Sequence, residues 1–124
     1  MVGRATLEIE LRPLLKALQN RLSGFGDVKR SRSNGVETYE RQGIPFLQLE
    51  LRKDHMFLDL WLPEADLEAA RSSGIAKAHP FMGDDAVRVR FERAEDLAKV
   101  ARWLEVSHAH APRRTPSGPA DARP

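Results

Sequence analysis

Apolar and polar residues alternate most cleanly between Phe46 and Leu62. Leu47, Leu49 and Leu51 alternate with Gln48 and Glu50. Beyond a turn at Lys53-Asp54, Met56, Leu58, Leu60 and Leu62 alternate with Phe57, Asp59 and Trp61. A period of two predicts two strands, each burying one face. Pairing Leu51 with Met56 sets Leu49 opposite Leu58 and Leu47 opposite Leu60, so one face is wholly aliphatic. The other face then carries Phe46 opposite Trp61, Gln48 opposite Asp59, and Glu50 opposite Phe57. That face is amphipathic, and Phe46, Gln48, Phe57, Asp59 and Trp61 form the candidate binding surface.

Upstream, Asn34-Gly35 is a strong hairpin signal, because a type I′ turn needs two residues at positive φ. It predicts strands over 27–33 and 36–42. With Ser33 opposite Val36, Arg32 faces Glu37, Arg30 faces Tyr39 and Lys29 faces Glu40, and the two opposite-charge pairs support that register. Gln42-Gly43-Ile44-Pro45 turns the chain into the second hairpin. Val87, Val89 and Phe91 alternate with Arg88, Arg90 and Glu92, which predicts a fifth strand with one buried face.

Three segments have helical spacing. Leu7, Leu11, Leu14, Leu15, Leu18 and Leu22 recur at helical spacing and predict a helix over 12–23 that stops at Gly24. Pro13 is tolerated only in a first turn, so 6–11 stays open between an earlier helical turn and a short strand. The segment from Pro63 reads as a short helix ending before Gly74, followed by a loop over 74–85. From Ala94 to Ser107, Leu97, Val100, Ala101 and Leu104 make an inner stripe with Trp103 at its edge. Glu95 and Asp96 suit the N-terminal dipole. The expected fold is α+β, a mostly antiparallel sheet of about five strands with helices packed on one face. Residues 1–107 form one domain, and 108–124, rich in Pro and Arg, has the composition of a disordered tail.

Composition narrows the partners. The 124 residues hold 20 Lys and Arg against 18 Asp and Glu. Setting aside Arg113, Arg114, Arg123 and Asp121 of the tail leaves the body formally neutral, so global charge is no argument for a polyanion. No apolar run approaches the roughly 20 residues that cross a bilayer. The first residues lack the apolar stretch of a signal peptide, which makes the cytoplasm the expected location and a membrane an unexpected partner. With no cysteine, thiolate chemistry and zinc-thiolate sites are excluded.

Gly26-Asp27-Val28, Phe46, the run Leu58-Asp59-Leu60-Trp61-Leu62, Val87-Arg88-Val89-Arg90-Phe91, and Glu95-Asp96-Leu97 with Trp103-Leu104 follow one another in an order that resembles an uncharacterised bacterial family, domain of unknown function family 5655. The resemblance covers roughly residues 12–107 and implies a small α+β domain. More distantly, the layout resembles small bacterial proteins with a double-wing sheet, for which DNA binding has been proposed. Neither resemblance implies a catalytic residue or a cofactor. The Pro/Arg tail departs from both.

Weighed one by one, the candidate chemical groups give no catalytic constellation. His55 and His79 lack a partner placed by local spacing to orient them as general bases. His108 and His110 fall where helix passes into the expected tail, a weak metal site. Gly24-Phe25-Gly26 follows a helix, whereas a phosphate loop precedes one. Glu50-Leu51-Arg52 has Arg where a nuclease element carries Lys and lacks its aspartate. The first hairpin offers Lys29, Arg30, Arg32 and Arg41 for phosphates and Tyr39 for a base. The sequence thus favours a noncatalytic binding or interaction module, without cofactor or metal, working through the Phe46–Trp61 face on a protein partner or a second copy. A nucleic-acid-associated protein is the alternative. The aromatic face itself stays open between a covered core and a free surface.

Overall fold

A computed structural model describes residues 2–79 and 83–114, with side chains from residue 11 onward. The fold is α+β. Helix α1 (Val2–Gly24) leads into strands β1 (Lys29–Ser33), β2 (Val36–Arg41), β3 (Ile44–Leu51) and β4 (Met56–Trp61). Helix α2 (Glu64–Ser72), β5 (Ala76–Ala78), β6 (Ala86–Phe91) and helix α3 (Leu97–His110) complete it, with single 3₁₀ turns before and after α3. The six strands form one antiparallel sheet in the order β1-β2-β3-β4-β6-β5.

The expected registers are observed except at Phe46, whose pairing with Trp61 is absent. Ser33 faces Val36 and Lys29 faces Glu40, about an Asn34-Gly35 turn with φ of 53° and 80°. Gln42-Gly43 repeats that geometry at 53° and 81°, which positions β3 against β2 as a second tight hairpin. Leu51 faces Met56, Leu49 faces Leu58 and Leu47 faces Leu60. Val89 and Val87 extend these rows through β6. All three helices contribute to the single core on this aliphatic face: Leu14, Leu18 and Leu22 from α1, Leu67 and Ala70 from α2, and Val100, Trp103 and Leu104 from α3.

Four expectations change. Residues 6–11 are helical, and α1 begins at Val2 instead of near Arg12. Pro13 lies exposed within it. One lost backbone hydrogen bond is outweighed by the buried Leu11, Leu14, Leu18 and Leu22 stripe, which anchors the helix on both sides of the proline. The loop expected over 74–85 contains a sixth strand, β5, too short at three residues to show alternation. Trp103 is buried. The first part of the segment expected as a tail from 108 is in regular structure: α3 continues to His110, a 3₁₀ turn spans Ala111–Arg113, and Ala111 is fully buried. The remainder of that segment, 115–124, lies outside the described residues. No helix among the described residues is long and apolar enough to cross a membrane.

Candidate functional site

Side chains directly opposite each other on neighbouring strands share a face. On the face away from the helices, one row therefore reads Ser31, Thr38, Gln48, Asp59, Arg88, Lys77 from β1 to β5. The next reads Val36, Glu50, Phe57, Arg90. Arg90 also donates its backbone N–H to the Ile75 carbonyl at 2.8 Å, which extends that row to Ile75. Three of the five residues proposed for the binding face, Gln48, Phe57 and Asp59, lie on these rows.

Phe46 does not. Tyr39 faces Leu47 while Glu40 faces Pro45, so β3 carries Phe46 as an extra residue, a β-bulge. A bulge turns two successive side chains toward the same side. Phe46 is completely buried, with Phe25 at 6.3 Å and His108 edge-on at 5.0 Å between ring centroids. Its expected pairing with Trp61 is replaced by Ser107 of α3. The Ser107 hydroxyl accepts from the Trp61 N–H at 3.2 Å and donates to the Phe46 carbonyl at 2.6 Å. Trp61 is also covered, only 5% exposed. The Arg114 guanidinium sits 4.2 Å from its ring centroid, and Arg114 donates to the Pro45 carbonyl. The aromatic surface expected from three rings is thus reduced to Phe57.

Phe57 belongs to a polar network built around Asp59. This carboxylate is buried and takes two hydrogen bonds from Arg88, Nε to Oδ1 at 2.8 Å and Nη2 to Oδ2 at 3.0 Å. The two-point pairing fixes the plane of the guanidinium, which lies 4.5 Å from the Phe57 ring centroid. The bonds to Asp59 hold the Arg88 guanidinium above its ordinary pKa, against the opposing effect of burial. Glu50 approaches Arg88 at 3.8 Å and pairs with Arg52 at 2.9 Å, so the Glu50-Leu51-Arg52 element is internally neutralised.

The crossing into β5 brings His79 to this network, with Nε2 3.6 Å from Asp59 Oδ2. No local spacing relates residues 20 positions apart in sequence, so this contact was invisible before folding. His79 lines two concavities. One, of about 570 Å³, lies on the open sheet face between Phe57, Ile75, Lys77, Arg88 and Arg90. The other, of about 720 Å³, lies beside α2, with Arg71, Asp84, Asp85 and His110 in its wall. A histidine beside a carboxylate has the outline of an acid-base pair. Asp59, however, already accepts both Arg88 hydrogen bonds, and 3.6 Å exceeds hydrogen-bond distance.

The remaining histidines are separately engaged. His55 contacts Asp54 at 2.6 Å and the Phe57 ring edge-on. His108 Nε2 lies 3.0 Å from the Gly26 carbonyl oxygen, while His110 lies 3.8 Å from Asp85. His108 and His110 therefore turn to different partners. Among the described residues no group of three His, Asp or Glu side chains converges as a metal site.

The residues of the alternative nucleic-acid surface are divided. Tyr39 is buried, and its hydroxyl donates to Glu37 at 2.8 Å, so it has no face to stack on a base. Arg41 donates to the His108 carbonyl at 2.9 Å and is held beside Asp27. Only Lys29, Arg30 and Arg32 remain on an exposed strand, and Arg30 and Arg32 share the helix side with Tyr39 and Glu37. No protein-family model matches the chain, and no curated protein matches it in sequence.

Proposed function

We propose that the protein is a small noncatalytic binding module whose site is the concavity on the open sheet face, between Phe57 of β4, Arg88 and Arg90 of β6, and Ile75 and Lys77 beside the sheet edge. The observation that carries this reading is the fixed floor of that concavity. Asp59 and Arg88 are locked to each other at two points, Arg88 lies against Phe57, and the space of about 570 Å³ beside them has the size of a small-molecule site. Asp59 serves here as the anchor of Arg88, each of its oxygens accepting one Arg88 hydrogen bond. The cytoplasmic location, and membership in the family that residues 12–107 resemble, belong to the same proposal and rest on sequence alone.

The test uses a neutral aromatic probe, 2-naphthalenemethanol, titrated into the full-length ¹⁵N-labelled protein. Saturable amide shifts are expected at Phe57, Ile75, Lys77, Arg88 and Arg90. Shifts clustered over α1 and α3, or none, would sink the reading.

A further inference from the structure

The charges around the concavity do not balance, and the surplus is placed at one end. Of the described residues that line it, Lys77, Arg88 and Arg90 are cationic and Glu92 is anionic. Arg88 is consumed by Asp59 beneath it. Arg90 has Glu92 at 3.6 Å. The Lys77 ammonium, on the exposed outer strand, forms no ion pair among the described residues. The apolar surface is placed elsewhere: Ile75 and Phe57 flank Arg90 in one row, while Lys77, Arg88 and Asp59 make the other. The two rows thus present two apolar side chains, on either side of the Arg90 stem, beside a strip that ends in one uncompensated positive charge.

We propose, resting on the binding site described above, that its ligand is a small organic monoanion. Its apolar body lies along Ile75 and Phe57, and its single acidic group meets Lys77, with Arg90 as the diagonal neighbour across β5 and β6. Diagonal positions on adjacent antiparallel strands are about 7–8 Å apart, within reach of two long side chains converging on one acid group. A cationic ligand finds no free carboxylate here, because Asp59 and Glu50 are tied to arginines and Glu92 lies beside Arg90. A polyanion is poorly matched to one surplus charge. An inorganic anion would leave Ile75 and Phe57 uncovered and forgo the burial that the concavity offers.

The experiment compares 2-naphthoate with 2-naphthalenemethanol, two probes of similar shape that differ in charge, followed by amide shifts of the intact chain. The carboxylate is expected to bind about fivefold more tightly, the size of one partly solvated ion pair. Lys77→Glu, a change at an exposed position, is expected to abolish or reverse that preference, read as the ratio of the two probes' affinities for the same variant. Equal binding of the two probes at the same residues would overturn the monoanion inference and leave the site standing. So would a preference for naphthoate that Lys77→Glu does not alter. Failure of both probes to perturb these residues would remove the site and the inference together.

Discussion

Ser107 stands between two strands at the point where their ladder ends. Its hydroxyl donates to the Phe46 carbonyl at 2.6 Å, and the same oxygen accepts the Trp61 N–H at 3.2 Å. Phe46 and Trp61 are the pair that alternation places opposite each other. One helix side chain takes over both hydrogen-bonding groups, which lets β3 bulge and turn Phe46 inward. The fully buried Ser107 therefore separates the buried aromatic pair from the open rows that hold Phe57 and Asp59.

Ser107→Ala should leave a buried carbonyl and a buried amide without their partner. Such groups cost about 1–3 kcal/mol when stranded. Denaturant unfolding should show a loss in that range, with an unchanged dependence on denaturant concentration. The Trp61 amide should exchange with solvent markedly faster. A variant within about 0.5 kcal/mol of the parent, where substitutions away from such features usually fall, would mean that the strands close over the gap without Ser107.

Tyr39 is the only tyrosine of the chain, so its ionisation can be followed alone by absorbance. Burial, with the neighbouring Glu37 carboxylate second, pushes its pKa up to about 12 from 10.0. The folded protein therefore holds the phenolic proton more tightly than the unfolded chain does. Stability from this residue is complete below pH 10 and is lost as pH rises through 10 toward 12. Phenolate absorbance should appear together with the loss of tertiary circular dichroism, well above pH 10. Tyr39→Phe should cost about 1 kcal/mol at neutral pH and flatten stability in the alkaline range. Titration of the folded protein near 10 would show that Tyr39 is open to water.

The parts of the fold legible before folding are those in which a local signal and a pairing signal agree. Asn34-Gly35 dictates a two-residue turn, and the facing charges of Arg32 with Glu37 and Lys29 with Glu40 select one register. In the second hairpin, the aliphatic rows from Leu47 to Leu60 allow no slip, because a shift of one residue would expose every leucine. The Phe46 bulge left no such trace. It depends on the backbone of β2 changing step at Tyr39, and on a serine 61 residues away in sequence. Strand β5 was hidden by its length, and with it the approach of His79 to Asp59 and the closing of the concavity beside Lys77. The end of α3 was hidden for another reason. His108, His110 and Arg114 have the composition of a tail, and order there comes from Gly26, Asp85 and Trp61, none of them near in sequence.

That ordered end predicts a pH dependence on the acid side. Burial is the main cause that lowers the pKa of both His108 and His110 below the ordinary value of 6.5. His108 lies against Phe25 at 4.8 Å and Phe46, with Arg41 opposing its charge and the Gly26 carbonyl and Asp27 favouring it. His110 has Asp85 in its favour and Arg113 and Arg114 against. In both cases the unfolded chain binds the proton more readily. Stability contributed by the neutral rings is therefore complete above pH 6.5 and declines as pH falls through the lowered folded values. Thermal unfolding between pH 7.5 and 5 should show a falling midpoint, and the double variant His108→Gln with His110→Gln should fall less steeply. Carboxylates add their own acid destabilisation mainly below pH 5, so the window above it isolates the histidines. Parallel slopes for the parent and the double variant would show that neither ring is desolvated, and that the turn after α3 lies open to solvent at Phe25 and Asp85.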